Sequence, residues 1–326
     1  MKAFVTGATG FVGSHLTDKL IQLGYEVYCL RRKTSDIKWL KDKEVNFVNG
    51  DLFDNEALEK VLKNVDYVFH VAGVVKSRTK EGFYNGNVSA TKYLIELAYK
   101  SNPDLKRFVH ISSLAACGPN PDYNALTEDY TPEPITTYGI TKLKAEEEVL
   151  KFKNKLPVTI VRPPAIYGPR DSEILIYFKT FSKGLNSIIG FKDKYLSLVY
   201  VEDFIDGIIL AANDNIKSGE IFFISSDGIF DWDEIASVTS KILNKKPVKL
   251  RIPHSVVYSV GSIAQFFSMF TKKAATLNIE KCKDITRKRW TCSNEKAKQE
   301  LGFQPKYSLN EGFKKTIEWY KNNNWL

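Results

Sequence analysis

Short apolar runs bounded by turn residues recur through the first half of the chain, at residues 3–5, 26–30, 45–48, 67–71, 108–111 and 158–161. Between most of them apolar residues fall three or four apart, as Val12, Leu16, Leu20 and Leu23 do. Strand-like runs alternating with helix-period stretches predict an α/β fold, a doubly wound parallel sheet with right-handed crossovers and helices on both faces. After Pro163 the pattern changes. Residues 164–200 predict turns and short apolar stretches, 205–212 a buried helix, and 221–224 a further strand returning to the main sheet. Residues 231–241, 255–270 and 311–320 predict helices of a smaller lobe. The expected division is 1–165 with about 201–225 for the first domain, and 166–200 with 226–326 for the second, interleaved in sequence.

One of those helices carries a stripe of Val256, Val260, Ile263, Ala264, Phe267 and Phe270, followed by Lys272 and Lys273. The expectation is a helix packed on the small lobe or at a subunit contact. The alternative is a helix that meets a membrane surface or a lipophilic substrate.

Composition narrows the class. At 326 residues, 43% hydrophobic and 26% charged, the chain can bury the core of a two-lobed globular protein. The net charge of +9 does not mark a nucleic-acid partner. Basic residues are interleaved with acids, as at 41–44 and 144–148, which suits a solvated surface, and no basic cluster with stacking aromatics is present. Cys29, Cys117, Cys282 and Cys292 form no CxxC pair and no zinc spacing, so neither a metal site nor a disulfide framework is expected. No signal-like apolar region and no stretch approaching about 20 apolar residues occurs, so a cytoplasmic protein without a membrane span is expected.

The candidate chemistry begins at the first predicted strand, which runs into Thr6-Gly7-Ala-Thr9-Gly10-Phe11-Val12-Gly13 and then a helix. Strand, glycine-rich turn and helix is the context of a dinucleotide-binding fingerprint. Gly7 permits the tight turn, Gly10 lets the backbone approach a pyrophosphate, and Gly13 lets helix and strand pack closely. The free N–H groups and positive end of the helix favour phosphate there. A second constellation follows: residues 108–113 read as an apolar strand ending in Ser112 and Ser113, and Tyr138-Gly-Ile-Thr-Lys142 places a phenol and an ammonium one helical turn apart.

Together with Gly50-Asp51-Leu52, residues 66–73, Asn87-Val88, residues 162–169, 199–203 and 301–320, these motifs resemble the extended short-chain dehydrogenase/reductase family of epimerases, dehydratases and ketone reductases. The resemblance runs nearly end to end. It implies a Rossmann-type cofactor domain and a lobe that sets substrate specificity. It also implies catalytic roles for Ser113, Tyr138 and Lys142, with Asn87 as structural support. A dinucleotide would be held by Gly7, Thr9, Gly10, Phe11, Val12, Gly13, Arg31, Arg32, Asp51, Leu52, Val71, Ala72, Gly73, Tyr138, Lys142, Pro163 and Ala165. Ser113 rather than Ser112 aligns with the family's catalytic hydroxyl, and a homodimer is a family expectation.

In this scheme Tyr138 is the general acid/base. Bringing a phenol from about 10 to about 7 takes roughly 4 kcal/mol. An ammonium about 5 Å away at an effective dielectric of about 20 contributes about 3 kcal/mol. Lys142 is therefore expected to do most of the activation. At the end of the second strand, Leu30-Arg31-Arg32-Lys33 offers guanidiniums where NAD enzymes place an acid, with none until Asp36. That predicts NADP(H) over NAD(H).

Departures from the family pattern restrict the reaction. Leu114 and Ala115 stand where sugar dehydratases carry an Asp-Glu pair, Leu196-Ser197 where nucleotide-sugar enzymes commonly carry Arg-Asp, and Cys117 where the family has a Tyr. Lys194 or Arg170 are the candidates to replace the missing Arg. The expected activity is hydride transfer between NADP(H) and a carbonyl or secondary alcohol on a largely apolar small molecule. A nucleotide-sugar epimerase and a noncatalytic NADPH-binding regulator are the alternatives.

Overall fold

The structure is a computed structural model that describes residues 1–268 and 277–326. Phe270, Lys272 and Lys273 of the apolar stripe and its basic end lie outside the described residues. Seven strands form the main sheet: β1 (Lys2–Thr6), β2 (Glu26–Arg31), β3 (Val45–Asn49), β4 (Tyr67–His70), β5 (Arg107–Ile111), β6 (Val158–Arg162) and β7 (Glu220–Phe223). Their order is β7-β6-β5-β4-β1-β2-β3, and every neighbouring pair is parallel. The chain winds outward in both directions from β1, so the crevice for a ligand opens between the carboxyl ends of β1 and β4.

Both faces of the sheet are covered, as the unbroken apolar runs require. Along β1, Ala3 and Val5 belong to one core and Phe4 to the other, the period-2 alternation of a strand buried on two sides. Helix α1 (Phe11–Gln22) buries Gly13, Leu16 and Leu20. Helix α2 (Thr137–Leu150) starts at Thr136, whose hydroxyl accepts from the Gly139 N–H at 3.1 Å. Helix α3 (Val201–Ala211) adds Val201, Phe204, Ile205 and Ile208 to the larger core.

Residues 164–200 are more regular than the sequence pattern predicts. They hold a helix, Ile174–Ser182, and strands Ala165–Tyr167, Leu185–Ile189 and Tyr195–Tyr200. Aromatic packing organises the segment: Phe178 meets Phe313 edge-on with ring centroids 5.1 Å apart, and Tyr177 meets Trp232 at 5.6 Å. These contacts join residues far apart in sequence, which a local pattern does not register. The C-terminal part adds α4 (His254–Ser268), α5 (Ile279–Ile285) and α6 (Leu309–Asn322).

Over its described residues the stripe does not pack on the small lobe of its own chain. α4 turns Val257 and Gly261 inward, while Val256, Val260, Ile263 and Phe267 are 47%, 50%, 58% and 63% exposed. The glycine decides the orientation: a Cβ at Gly261 would lie 2.4 Å from Cys282 Sγ of α5, so only this smallest face fits against the neighbouring helix. Among the described residues no helix is long and apolar enough to cross a membrane.

Candidate active site

The parallel sheet brings the ends of β1, β4, β5 and β6 to one edge, and most predicted site residues lie there. After β1 the chain turns at Gly7, with φ at +72°. A Cβ on Gly7 would stand 2.7 Å from the Ala72 nitrogen, and one on Gly13 would stand 2.1 Å from the Gly7 oxygen. Both positions therefore exclude any side chain. Gly10 meets only the Gly7 oxygen, at 3.3 Å, and is exposed. It is the N-cap of α1 without a side-chain cap, and the first turn of that helix holds no acid. The backbone donors at Phe11, Val12 and Gly13 are thus left for a ligand, and a dinucleotide phosphate fits this cradle.

Thr6 ties the cradle to β4. Its hydroxyl lies 2.8 Å from His70 Nδ1 and accepts from the Ala72 N–H at 3.2 Å. His70 Nε2 is 2.9 Å from the Thr91 hydroxyl, which donates to the Asn87 carbonyl at 2.6 Å. Burial, helped by the nearby Lys142 charge, takes His70 down to about 3, so this imidazole is neutral. Val71, Ala72 and Gly73 follow β4 directly, with the Val71 and Ala72 backbone packed against Gly7. Asn87 is buried and clamps the following loop, accepting from the Val74 N–H at 2.7 Å and donating to the Val74 carbonyl at 3.1 Å and to Thr141 at 3.0 Å. It touches the backbone that shapes the site rather than the open crevice.

β5 ends in the two serines, which point to different partners. Ser112 donates to Glu146 Oε1 in the buried interior, whereas the Ser113 hydroxyl accepts from the Ala115 N–H at 3.2 Å and bears on the Tyr138 phenol. Lys142 is 4% exposed and donates to the Ile111 carbonyl at 2.5 Å. A methyl built on Gly73 would be 3.7 Å from its Nζ, so the ammonium bridges the β4 and β5 edges. Burial, partly offset by Glu146, brings Lys142 down to about 8. Tyr138 departs from expectation. Burial pushes its phenol above the ordinary value, the Ser113 hydroxyl works against that rise, and Asp284 of α5 adds to it. In the free protein the phenol is protonated, because desolvation of the phenolate outweighs any help from Lys142, which is engaged with Ile111.

Glu146 is the residue the sequence pattern misplaces. In the acid run 144–148 it looks solvated, yet it is 1% exposed and binds Arg162 through Nε at 2.9 Å and Nη2 at 2.6 Å. Its spacing of four from Lys142 and eight from Tyr138 places all three along one side of α2, which is the signal that identifies it. His110, beside His70 with ring centroids 5.3 Å apart, is likewise buried, and neither ring nitrogen has a partner among the described residues.

Arg31, Arg32, Asp51 and Leu52 sit further along the edge, at the ends of β2 and β3. Arg31 Nε donates to Asn49 Oδ1 at 2.8 Å and its guanidinium lies 4.3 Å from the Phe47 ring centre. Arg32 is exposed, and among the described residues neither arginine has an acid partner. Asp36 is occupied within its own loop, accepting from the Lys38 N–H at 3.0 Å. Asp51 is exposed and accepts from the Phe53 N–H at 2.8 Å, with Leu52 half-buried beside it. Thr9 is half-buried next to Gly10. Pro163, at the end of β6, accepts from the Leu114 N–H at 2.8 Å, and Ala165 is exposed beyond it.

Both candidates for a replacement phosphate contact have partners within the chain. Lys194 is 7% exposed and donates to the Ile285 carbonyl at 2.5 Å. Arg170 is 2.8 Å from Asp18 and 3.1 Å from the Ser14 hydroxyl. All four cysteines are free and buried, and the described residues contain no group of His, Cys, Asp and Glu suited to a metal ion.

A dinucleotide cradle at the end of β1 and a Ser–Tyr–Lys constellation at the ends of β5 and α2 define a class of dinucleotide-dependent enzymes. The chain belongs to the NAD dependent epimerase/dehydratase family, whose pattern matches residues 3–225. NAD(P) is the cofactor typical of that family. The chain is 29% identical to a ceramide reductase of Caulobacter vibrioides, over 99% of this chain and 95% of the relative. It is 28% identical to the decarboxylating sterol-4-alpha-carboxylate 3-dehydrogenase of Mus musculus, over 97% and 90%. Its fold is similar to the crystal structure of UDP-glucuronic acid 4-epimerase from Bacillus cereus in complex with UDP-glucuronic acid and NAD, with a TM-score of 0.80 at 25% identity, over 99% and 100%.

Proposed function

We propose that this protein is an NADP(H)-dependent oxidoreductase that interconverts a carbonyl and a secondary alcohol on a largely apolar small molecule. The observation that carries this reading is the gathering of Ser113, whose hydroxyl bears on the Tyr138 phenol, with Tyr138 and the buried Lys142, at a site whose two candidate phosphate-binding side chains are engaged elsewhere. Leu114 and Ala115, next to Ser113, offer no acid or base for dehydration. The lipid substrates named for the ceramide and sterol relatives point the same way.

A bound dinucleotide would supply the hydride in the reducing direction. Ser113 Oγ holds the substrate oxygen, and the protonated Tyr138 Oη gives that oxygen its proton as negative charge grows there. The raised phenol suits this direction, because the acid form is present without further adjustment. Solvent then reprotonates Tyr138. Lys142 lies where its ammonium can hold ribose hydroxyls, with Asn87 and Thr141 fixing the start of α2. The α1 cradle takes the pyrophosphate, with Thr9 beside it. Asp51 and Leu52 would hold the adenine, and Val71, Ala72, Gly73, Pro163 and Ala165 would form the remaining wall. The extent of the cofactor domain, 1–165 with about 201–225, is part of the same proposal.

Two predictions arise here. Lys142 is charged below about 8 and loses its proton as pH rises through that value. NADPH affinity of the free enzyme is therefore expected to fall about tenfold between about pH 7 and about pH 9, measured by fluorescence titration. A flat profile would remove Lys142 from the cofactor contact. Replacing Arg31 and Arg32 together by Ala is expected to raise the Kd for NADPH about 100-fold and to leave that for NADH within about threefold, since two charge-assisted hydrogen bonds are lost. Equal losses for both cofactors would remove the 2′-phosphate assignment.

The reading as a whole is tested by thermal shift of the NADP⁺-saturated protein with hydroxysteroids, apolar ketones, UDP and UDP-sugars. A ligand at 100 times its Kd stabilises by about 2.7 kcal/mol. Stabilisation by apolar carbonyl or alcohol compounds alone, followed by their turnover, is expected. Selective stabilisation by UDP compounds would make this a nucleotide-sugar epimerase.

A further inference from the structure

The first turn of α2, which carries Tyr138, is held partly from outside the helix. Its opening N–H groups have no partner within α2. Thr136 takes the one at Gly139, at 3.1 Å, whereas the one at Thr137 is taken by Glu280 Oε2 of α5, at 2.5 Å and 143 residues away in sequence. Thr137 is buried and immediately precedes Tyr138. Burial opposes a charge on Glu280. The Thr137 N–H and Lys283, which donates to Oε1 at 3.1 Å, more than offset that and hold the carboxyl below the ordinary range. Glu280 therefore meets the positive end of α2 as a carboxylate.

α5 is itself fixed within the smaller lobe. Asn278 caps its start by accepting from the Lys281 N–H at 2.8 Å, and Cys282 Sγ donates to the Val257 carbonyl at 3.3 Å. At its other end the Asp284 carbonyl accepts from Trp290 Nε1 at 3.0 Å and the Ile285 carbonyl from Lys194 at 2.5 Å. The first turn of α2 also meets the loop that follows Ser113, where a Cβ on Gly139 would stand 2.2 Å from the Ala115 oxygen. One turn of helix thus touches both the serine loop at the end of the sheet and a rigidly held helix of the smaller lobe.

We infer that Glu280 is a positioning residue for Tyr138, the point through which the smaller lobe sets where the phenol stands relative to Ser113. The bond it accepts lies one residue from Tyr138, so the placement of α5 passes directly into the first turn. Misplacing a reacting group by about 1 Å can cost about 100-fold in rate. A carboxylate acting only as a counter-charge to the helix end would do so without this bond, and removing its charge or its whole side chain would then have the same effect. The catalytic consequence rests on the acid role given to Tyr138 above, whereas the placement of Tyr138 by Glu280 stands on the contact alone.

The experiment labels the full chain with meta-fluorotyrosine and follows the Tyr138 fluorine resonance, assigned by its loss in Tyr138→Phe. The variants are Glu280→Ala, Glu280→Gln, Thr137→Pro and the double variant Thr137→Pro/Glu280→Ala. Gln can still accept from the Thr137 N–H. Proline is favoured at a first helical position and Thr136 is already extended, with φ at −124° and ψ at 155°, so Thr137→Pro removes the same bond from the other side. The resonance is expected to move in Glu280→Ala and in Thr137→Pro, to move no further in the double variant, and to return in Glu280→Gln. With saturating NADPH and a panel ketone, kcat is expected to fall at least about tenfold in Glu280→Ala and Thr137→Pro and to recover to within about threefold in Glu280→Gln, while the Kd for NADPH stays within about twofold throughout. An unmoved resonance in Glu280→Ala, or equal displacement in the Ala and Gln variants, would overturn the positioning role. So would a kcat within about threefold of wild type in Glu280→Ala. Should Glu280→Ala fail to fold, Thr137→Pro decides by the same criteria. A displaced and Gln-restored resonance in a protein that turns over no ketone counts against the proposed function alone.

Discussion

Tyr138→Phe is expected to lower kcat for carbonyl reduction by about a thousandfold or more while the Kd for NADPH stays within about twofold. The substitution keeps the ring, its place 6.5 Å from the Phe83 ring and the start of α2, and removes the hydroxyl proton offered to the substrate oxygen. Ser113 remains to orient the substrate oxygen, so binding of a ketone in the presence of NADP⁺ should survive. Single-turnover absorbance at the nicotinamide band reads the chemical step, and fluorescence titration reads cofactor binding. A variant within tenfold of the wild-type rate would remove Tyr138 as the acid. Because the free protein holds this phenol protonated, loss of the hydroxyl should hurt reduction across the neutral range rather than only at high pH.

The second large effect concerns stability. Glu146→Ala is expected to cost about 3–5 kcal/mol, read as a lower midpoint in urea unfolding. The carboxylate takes two hydrogen bonds from Arg162 and one from Ser112, and both charged side chains are at most 3% exposed. Removing it leaves a guanidinium buried with its third nitrogen already unpartnered among the described residues. The double replacement Glu146→Met/Arg162→Met should recover much of the loss, since it is the stranded charge rather than the missing pair that costs most. A loss below about 1 kcal/mol for Glu146→Ala would mean that water reaches Arg162. Ser112 adjoins Ser113, so the same substitution should also disturb the serine that faces the substrate.

The strand ends and the glycine turn were legible because each follows from local rules. A buried parallel strand is an apolar run, and Gly7 and Gly13 stand where a methyl would collide with backbone. Tyr138 and Lys142 were legible from helical spacing, and Ser113 was separated from Ser112 by alignment with a family. Other features were set by tertiary context. Glu146 sits in an acid run that looks solvated until Arg162, from the next strand, is placed behind it. The helix and strands in residues 165–200 form because Tyr177 and Phe178 find Trp232 and Phe313 from distant segments. The α4 stripe has a helical period, and period alone does not say whether a stripe faces inward; Gly261 against Cys282 decides it. Helical spacing alone predicts activation of Tyr138 by Lys142, and the structure gives the ammonium a competing carbonyl at Ile111.

The last strand of the main sheet comes from beyond the first excursion into the smaller lobe. β7 pairs with β6 from Glu220 to Phe223, after the chain has already contributed strands at 185–189 and 195–200 elsewhere. A truncation after residue 165 would therefore leave β6 as a bare edge and strip Phe222 from the core. The two halves of this protein are not exchangeable cassettes. New specificity on this scaffold has to come from changing loops and helix faces in place, because recombination at a single cut would sever the sheet that holds the cofactor end together.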